Sequence, residues 1–406
     1  MSEPSIHDSP YSWFRLLVTL AIGCVANVGM WAVVVIMPAV EAEFQAGRAE
    51  ASLPYTLTMI GFALGNLFIG RIVDRFGATL ALMAAAVLIA ISYLLSTLAP
   101  NIVVLSLTQL AVGLGTGVGF GPLIADISHW FLKRRGIAVA LVASGNYLSG
   151  AIWPTLLAGI LAEAGWRQVY LTLALITVVT LIPLSLLLRR RVPDEAHGLA
   201  QAASDLRAKS AGMSPRALQY LLGIAGIGCC VAMSMPQVPI VAYCVGLGYG
   251  PAVGAEMLSR VLLGGVVSRV ISGLVADRLG GVRTLLVGSI LQCLALMFYL
   301  PWDGMASLYM ISLMFGLAQG GIVPSYALVV REYMPAREAG ARVGFVLMMT
   351  ILGMALGGWM SGWIYDVTGS YHMAFLNGVL WNIVNIAIIG VLLLRSRPRV
   401  PGAATA

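Results

Sequence analysis

Charged side chains are scarce in this sequence. They make up 10% of its 406 residues, while 59% are hydrophobic; a soluble domain carries roughly 25% charged residues. So few polar groups cannot cover a folded chain of this length in water, and lipid must be the solvent for most of its surface. That excludes an ordinary soluble enzyme. GxSxG, HExxH and clustered His/Cys sets are missing as well, so an enzyme is not expected, and neither is a cofactor or metal. The five cysteines (Cys24, Cys229, Cys230, Cys244, Cys293) lie in apolar runs without CxxC spacing and read as small core residues. The first dozen residues contain Glu3 and Asp8 and lack a basic start, so they do not read as a signal peptide.

What charge there is has a pattern. The net charge is +7, and 20 of the 24 Lys and Arg residues fall at Arg15 or in clusters between alternate apolar runs. The clusters are Arg71/Arg75, Lys133–Arg135, Arg189 through Arg216, Arg278/Arg283, Arg331/Arg337/Arg342 and Arg395/Arg397/Arg399. This positive-inside asymmetry predicts that both termini and the central loop are cytoplasmic, and it accounts for the basic excess without nucleic acid.

A span needs about 20 apolar residues. Twelve segments qualify: 14–39, 52–73, 79–99, 102–131, 136–162, 167–189, 217–246, 252–276, 282–300, 305–332, 339–364 and 371–394. The expected fold is therefore an all-α membrane protein of twelve transmembrane helices in two pseudo-symmetric six-helix bundles. The N-terminal tail is 1–13, the first bundle 14–189, the cytoplasmic linker 190–215, the second bundle 216–394 and the C-terminal tail 395–406. The halves keep register. Gly70-Arg71-Ile72-Val73-Asp74-Arg75-Phe76-Gly77 returns 203 residues later as Gly273-Leu274-Val275-Ala276-Asp277-Arg278-Leu279-Gly280. Gly136 corresponds to Gly340, and Gly165 to Gly369, at an offset of 204. An apolar chain duplicated in this way reads as a transporter.

Charge inside a span is costly and marks function by default. Arg269 lies eight residues before Asp277, about 12 Å in from the hairpin at the helical rise. Its permanently charged planar fork matches a carboxylate. Arg260 is nine residues away, on the opposite face of the helix, with Glu256 one turn earlier, and reads as an outer-rim pair. Polar and aromatic residues within spans complete the candidate site: Asn27, Trp31, Tyr55, Thr58, Asn146, Tyr147, Gln237, Tyr243, Gln319 and Tyr326. Asp126 and Glu256 are the candidate proton-coupling carboxylates. Pro236 and Pro239 bend the seventh span around Gln237.

The duplicated Gly-Xaa3-Asp-Arg-Xaa-Gly element resembles the signature loop of the major facilitator superfamily. The resemblance implies that Gly70, Asp74, Arg75, Gly77, Gly273, Asp277, Arg278, Gly280 and Arg283 form a conformational latch that binds no substrate. The first copy has Leu80 where a base is usual. Three further stretches, Trp130–Ala138, Gly165-Trp166-Arg167 and Gly362–Tyr371, resemble the monocarboxylate-porter and oxalate/formate-antiporter branch. In that branch Arg269 matches the substrate-binding arginine. The branch's aspartate one turn earlier is replaced by Gly265, and the antiporters' second cation by about Met354, so a single cation favours a monoanion. The acidic-Gly-aromatic motif that opens span one in animal monocarboxylate porters is not clear around Asp8 to Trp13. The expected function is transport of a small organic monocarboxylate by a monomer in the bacterial inner membrane, with proton symport. Anion exchange, drug efflux and a non-transporting receptor are the alternatives.

Overall fold

A computed structural model describes residues 8–128, 130–131, 134–190, 213–334 and 336–395. Most of the 190–215 linker, the two chain ends and the side chains of Asp74 and Asp277 lie outside the described residues. The first half contains α1 (Pro10–Ala26), α2 (Val28–Phe44), the single turn α3 (Arg48–Ala51), α4 (Leu53–Phe76), α5 (Ala78–Thr97) and α6 (Ile102–Thr116). A 3-10 turn at Gly117–Gly119 leads to α7 (Gly121–Ser128), α8 (Arg135–Ala143) and α9 (Gly145–Leu186). The second half contains α10 (Pro215–Gln237), α11 (Ile240–Gly246), α12 (Pro251–Leu279), α13 (Gly281–Met297), α14 (Met305–Gln319), α15 (Ile322–Tyr333), α16 (Ala336–Thr368) and α17 (Tyr371–Arg395). The described residues form no strand. Nine helical stretches among them are long and apolar enough to cross a membrane. Leu107, Leu175, Val179, Ile271, Leu274, Met310 and Leu380 are exposed. Such a coat is stable only against lipid.

The sequence repeat is a repeat of backbone geometry. Gly77 and Gly280 end α4 and α12 with φ of 88° and 80°, a region closed to most side chains. Gly165 and Gly369 do the same at φ 79° and 71°, and Gly165 breaks α9 into two spans' worth of helix. The repeat extends to helix crossings. A Cβ on Gly61 would strike the carbonyl of Leu110, and one on Gly113 that of Thr58. Their counterparts 203 residues on, Gly264 and Gly316, would strike Leu313 and Val261. The α4–α6 and α12–α14 crossings thus share one close-packed design, in which small residues let backbones meet.

One buried cluster joins the two halves through Trp31, Tyr55, Tyr147, Val238, Leu262 and Ala355, among others. Toward the repeated hairpins each half has its own core, around Leu16, Ile127 and Trp130 in the first and Leu222, Tyr326 and Val330 in the second. The halves are therefore packed together in the middle and at the end away from the hairpins.

The resembling patches act as structural ties. Trp130 lies under Arg15, whose Nε and Nη2 donate to the two carboxylate oxygens of Asp126 at 3.0 and 2.9 Å. Trp166 Nε1 and Arg167 Nη1 both donate to Glu43, at 2.6 and 2.8 Å, holding α9 to the end of α2. In the hairpins, Arg75, Arg278 and Arg283 are exposed, and Glu332 of α15 accepts from the Gly281 amide at the start of α13. A carboxylate there complements the helix dipole.

Candidate functional site

A cavity of about 40 Å³ lies between the halves. From the first half it is lined by Met30 and Trp31 of α2, Met59 and Phe62 of α4, Phe120 before α7, and Asn146 and Tyr147 at the start of α9. The second half contributes Met233 of α10, Arg269 of α12, Val323 of α15, and Leu347, Thr350, Ile351 and Met354 of α16. Several helices are interrupted at this depth: α1/α2 at Asn27, α6/α7 at Gly117–Phe120, α8/α9 at Ser144 and α14/α15 at Gly320–Gly321. Irregular backbone inside a bilayer is tolerated where it is buried in protein or lines a cavity.

Arg269 is 5% exposed. Its Nη1 donates to the carbonyl of Ala143, the last residue of α8, and its Nε to the carbonyl of Gly320 at 3.3 Å. Two helix interruptions thus provide the acceptors. The Tyr147 ring covers the guanidinium at 3.8 Å, a cation–π contact in a desolvated place. No carboxylate among the described residues pairs with Arg269; its remaining side-chain polar neighbour is the Tyr147 hydroxyl. Gly265, one turn before Arg269, makes this arrangement possible. A Cβ there would sit 2.5 and 2.6 Å from the Tyr147 ring. The residue 203 positions before Arg269 braces a helix interruption instead. This is Asn66, which donates to the Phe62 carbonyl and accepts from the Gly121 amide, at 2.8 and 2.9 Å.

Of the candidates chosen from the sequence, Arg269, Trp31, Asn146 and Tyr147 line the cavity. Trp31 Nε1 donates to the carbonyl and side-chain oxygens of Asn146 at 3.1 and 3.2 Å. The others lie elsewhere. Asn27 donates to the Gly23 and Gly119 carbonyls at the helix interruptions. Tyr55 packs on Gly358 at the α4–α16 crossing, and Thr58 donates to its own helix at Pro54. Tyr243 donates to Asp303, which His372 also contacts. Tyr326 donates to Asn385 at 2.6 Å inside the second half. Gln237 and Gln319 are buried with both amide atoms unpartnered among the described residues, away from this cavity's lining. Asp126 is tied to Arg15, and Glu256 is exposed and accepts from Tyr309 at 2.5 Å, with Arg260 over that ring. The methionines and phenylalanines of the cavity had no signal in the sequence, because apolar residues in apolar spans offer no contrast, and Thr350, whose hydroxyl donates to the Leu347 carbonyl of its own helix, was not singled out either.

A second junction closes the end away from the hairpins. The Asp366 carboxylate at the end of α16 accepts from the amides of Arg48 and Ala49, both at 2.8 Å. Arg48 Nη1 donates to the Tyr371 hydroxyl at 3.2 Å, its Nε pairs with Glu41 at 3.1 Å, and its guanidinium lies over Tyr365. Gly362 lets α16 reach the Arg48 backbone, where a Cβ would meet it. This clamp spans the two halves.

A helical bundle in two repeated halves around a central cavity is the architecture of a secondary transporter. The profile of the Major Facilitator Superfamily matches residues 19–259 and 245–406, and the chain belongs to that family. It is 27% identical over 335 residues to monocarboxylate transporter 13 of Bos taurus, covering 80% of this chain and 75% of that one. It is 26% identical over 324 residues to the MFS-type transporter pynF of Aspergillus niger, covering 78% and 73%. In fold it is similar to the crystal structure of a bacterial homolog of the human lysosomal transporter Spinster, inward-facing and occupied. There the TM-score is 0.71 at 14% identity, covering 96% of each chain. The protein is a multi-pass membrane transporter and not an enzyme.

Proposed function

We propose that this chain moves a small organic monocarboxylate by alternating access, through twelve spans with both termini cytoplasmic, in the bacterial inner membrane. The observation that carries the reading is Arg269: a buried, permanent cation with no carboxylate partner among the described residues, at the wall of the central cavity. A substrate carboxylate supplies the missing counter-ion. Charge-assisted hydrogen bonds of this kind contribute about 1.5–3 kcal/mol, and Asn146, with no acceptor for its Nδ2 among the described residues, offers a further donor. The likeness to a monocarboxylate transporter supports the same substrate class. In this reading the Asp366–Arg48 clamp holds the outer side closed, and the repeated hairpins latch the opposite, outward-facing state.

Proton symport is the proposed coupling. Exchange of one anion for another is the second reading, favoured by the lack of any carboxylate in the cavity lining. Uptake of labelled short acids into proteoliposomes, with and without a pH gradient and with unlabelled acid inside, separates the two. Arg269→Ala should lower binding by about 10- to 150-fold, from the energy above. Transport at the wild-type rate in Arg269→Ala, or flux of neutral or cationic compounds alone, refutes the carboxylate site.

A further inference from the structure

We infer that the outer clamp takes up a proton as it closes, that Glu41 of α2 is the group that holds it, and that acid outside therefore favours the outer-closed state. This rests on the reading of the Asp366–Arg48 contact as the closure of the outer side, and not on which substrate Arg269 holds. Glu41 lies just past the first span. Its Oε1 pairs with Arg48 Nε at 3.1 Å, while its Oε2 is buried without a hydrogen-bond partner among the described residues. Glu41 and Arg48 both belong to the first half. The second half brings the Asp366 carboxylate to the amides of Arg48 and Ala49. It also covers the rest of Arg48, with the Tyr371 hydroxyl on Nη1 and the Tyr365 ring 4.7 Å from the guanidinium. Tyr243 of α11 stands behind Tyr371, and Arg167 of α9 is engaged by Glu43. Closure thus gathers two carboxylates around one guanidinium. The repeat does not demand this cluster: the residues 203 positions after Glu41 and Arg48 are Cys244 and Pro251.

The closed cluster carries a net negative charge. Closing strips water from Glu41 Oε2, supplies no donor in return and brings a second carboxylate alongside. A charge buried without compensation is disfavoured, and so is a charge beside another of its own sign. Burial lifts the Glu41 carboxyl above its ordinary value of 4.5, Arg48 opposes the rise and Asp366 adds to it. Opening carries α16 and α17 away and leaves Glu41 and Arg48 as a hydrated pair within the first half, where the carboxyl returns toward its ordinary value. A group that holds its proton more tightly in one state stabilises that state as pH falls below the higher of its two pKa values. The closed state therefore gains in acid, and the gain is lost as pH rises through the closed-state value of Glu41. With Glu41 neutral, Arg48 and Asp366 balance each other across the halves.

The test reads the opening of the outer side directly, in full-length protein free of substrate. Spin labels on Leu98→Cys and Trp302→Cys, both exposed and away from the clamp, report the distance between the halves by pulsed electron resonance. The native cysteines are replaced by alanine for this measurement. Lowering the pH from about 7.5 to about 5 should raise the ratio of short to long distances about two- to fivefold, the effect of an exposed charged contact. Glu41→Gln, uncharged at either pH, should hold the ratio at its acid level throughout. A wild-type ratio that is flat with pH or falls in acid, or a Glu41→Gln ratio that still follows pH, overturns the proton site and leaves the clamp standing. Asp366→Ala with wild-type distances at both pH values overturns the clamp reading itself, and the proton site with it.

Discussion

Gly265→Ala isolates the geometry of the site without touching a charged group. The added methyl would sit 2.5 and 2.6 Å from two Tyr147 ring carbons. Carbon atoms rest at about 3.5–4.0 Å, so the ring must retreat by about 1 Å. It has little freedom, because its hydroxyl faces Met233 and its face covers Arg269 at 3.8 Å. Overpacking of this kind costs about 1–3 kcal/mol, and a desolvated cation–π contact contributes about 2 kcal/mol. If about 1.4 kcal/mol of this falls on substrate binding, Kd for a short monocarboxylate rises about tenfold. Titration calorimetry in detergent reads Kd, and a thermal melt of the same sample reads folding separately. Tyr147→Leu in the Gly265→Ala background removes the clash, so the double variant should lose clearly less than the sum of the two single losses. An unchanged Kd and melting temperature in Gly265→Ala, or strictly additive losses, would refute the idea that Gly265 places the ring over Arg269.

Three further outcomes are expected. Asp126→Asn leaves Arg15, itself 2% exposed, without its counter-ion; breaking such a pair costs about 3 kcal/mol. It should lower the melting temperature and leave Kd unchanged, whereas normal stability with loss of pH-driven uptake would make Asp126 a coupling group instead of a brace. Asp366→Asn weakens an exposed clamp, by about 1 kcal/mol after solvent screening, or about fivefold toward the open state. Thiol labelling of Ala51→Cys, at a position buried beside the clamp, should accelerate to match. Tyr326→Phe loses one buried hydrogen bond to Asn385, about 1 kcal/mol of stability, with wild-type substrate affinity; a changed affinity would place Tyr326 at the site.

The repeat was legible because duplicated backbone demands leave duplicated residues. Gly77 and Gly280 recur since only glycine readily takes their φ, and Gly61/Gly264 recur since only glycine fits their crossings. Arg269 was legible because a charge in lipid needs a reason. The remaining polar candidates were harder to sort. Tyr326, Tyr243 and Thr58 all find protein partners in the packed bundle, so being polar inside a span does not separate a ligand-facing residue from a satisfied one.

Composition, the spacing of basic residues and the 203-residue offset by themselves determined that this chain lives in lipid, that it folds as two related halves, and that one arginine stands without a counterpart. They did so because lipid forbids charge and symmetry repeats geometry. Only the tertiary structure decided what surrounds that arginine. It put carbonyls from two helix interruptions against its donors, seated Tyr147 in the space left by Gly265, and walled the cavity with methionines. Those contacts join residues far apart along the chain, and most of them are apolar groups that look alike until packing chooses which few face the cavity.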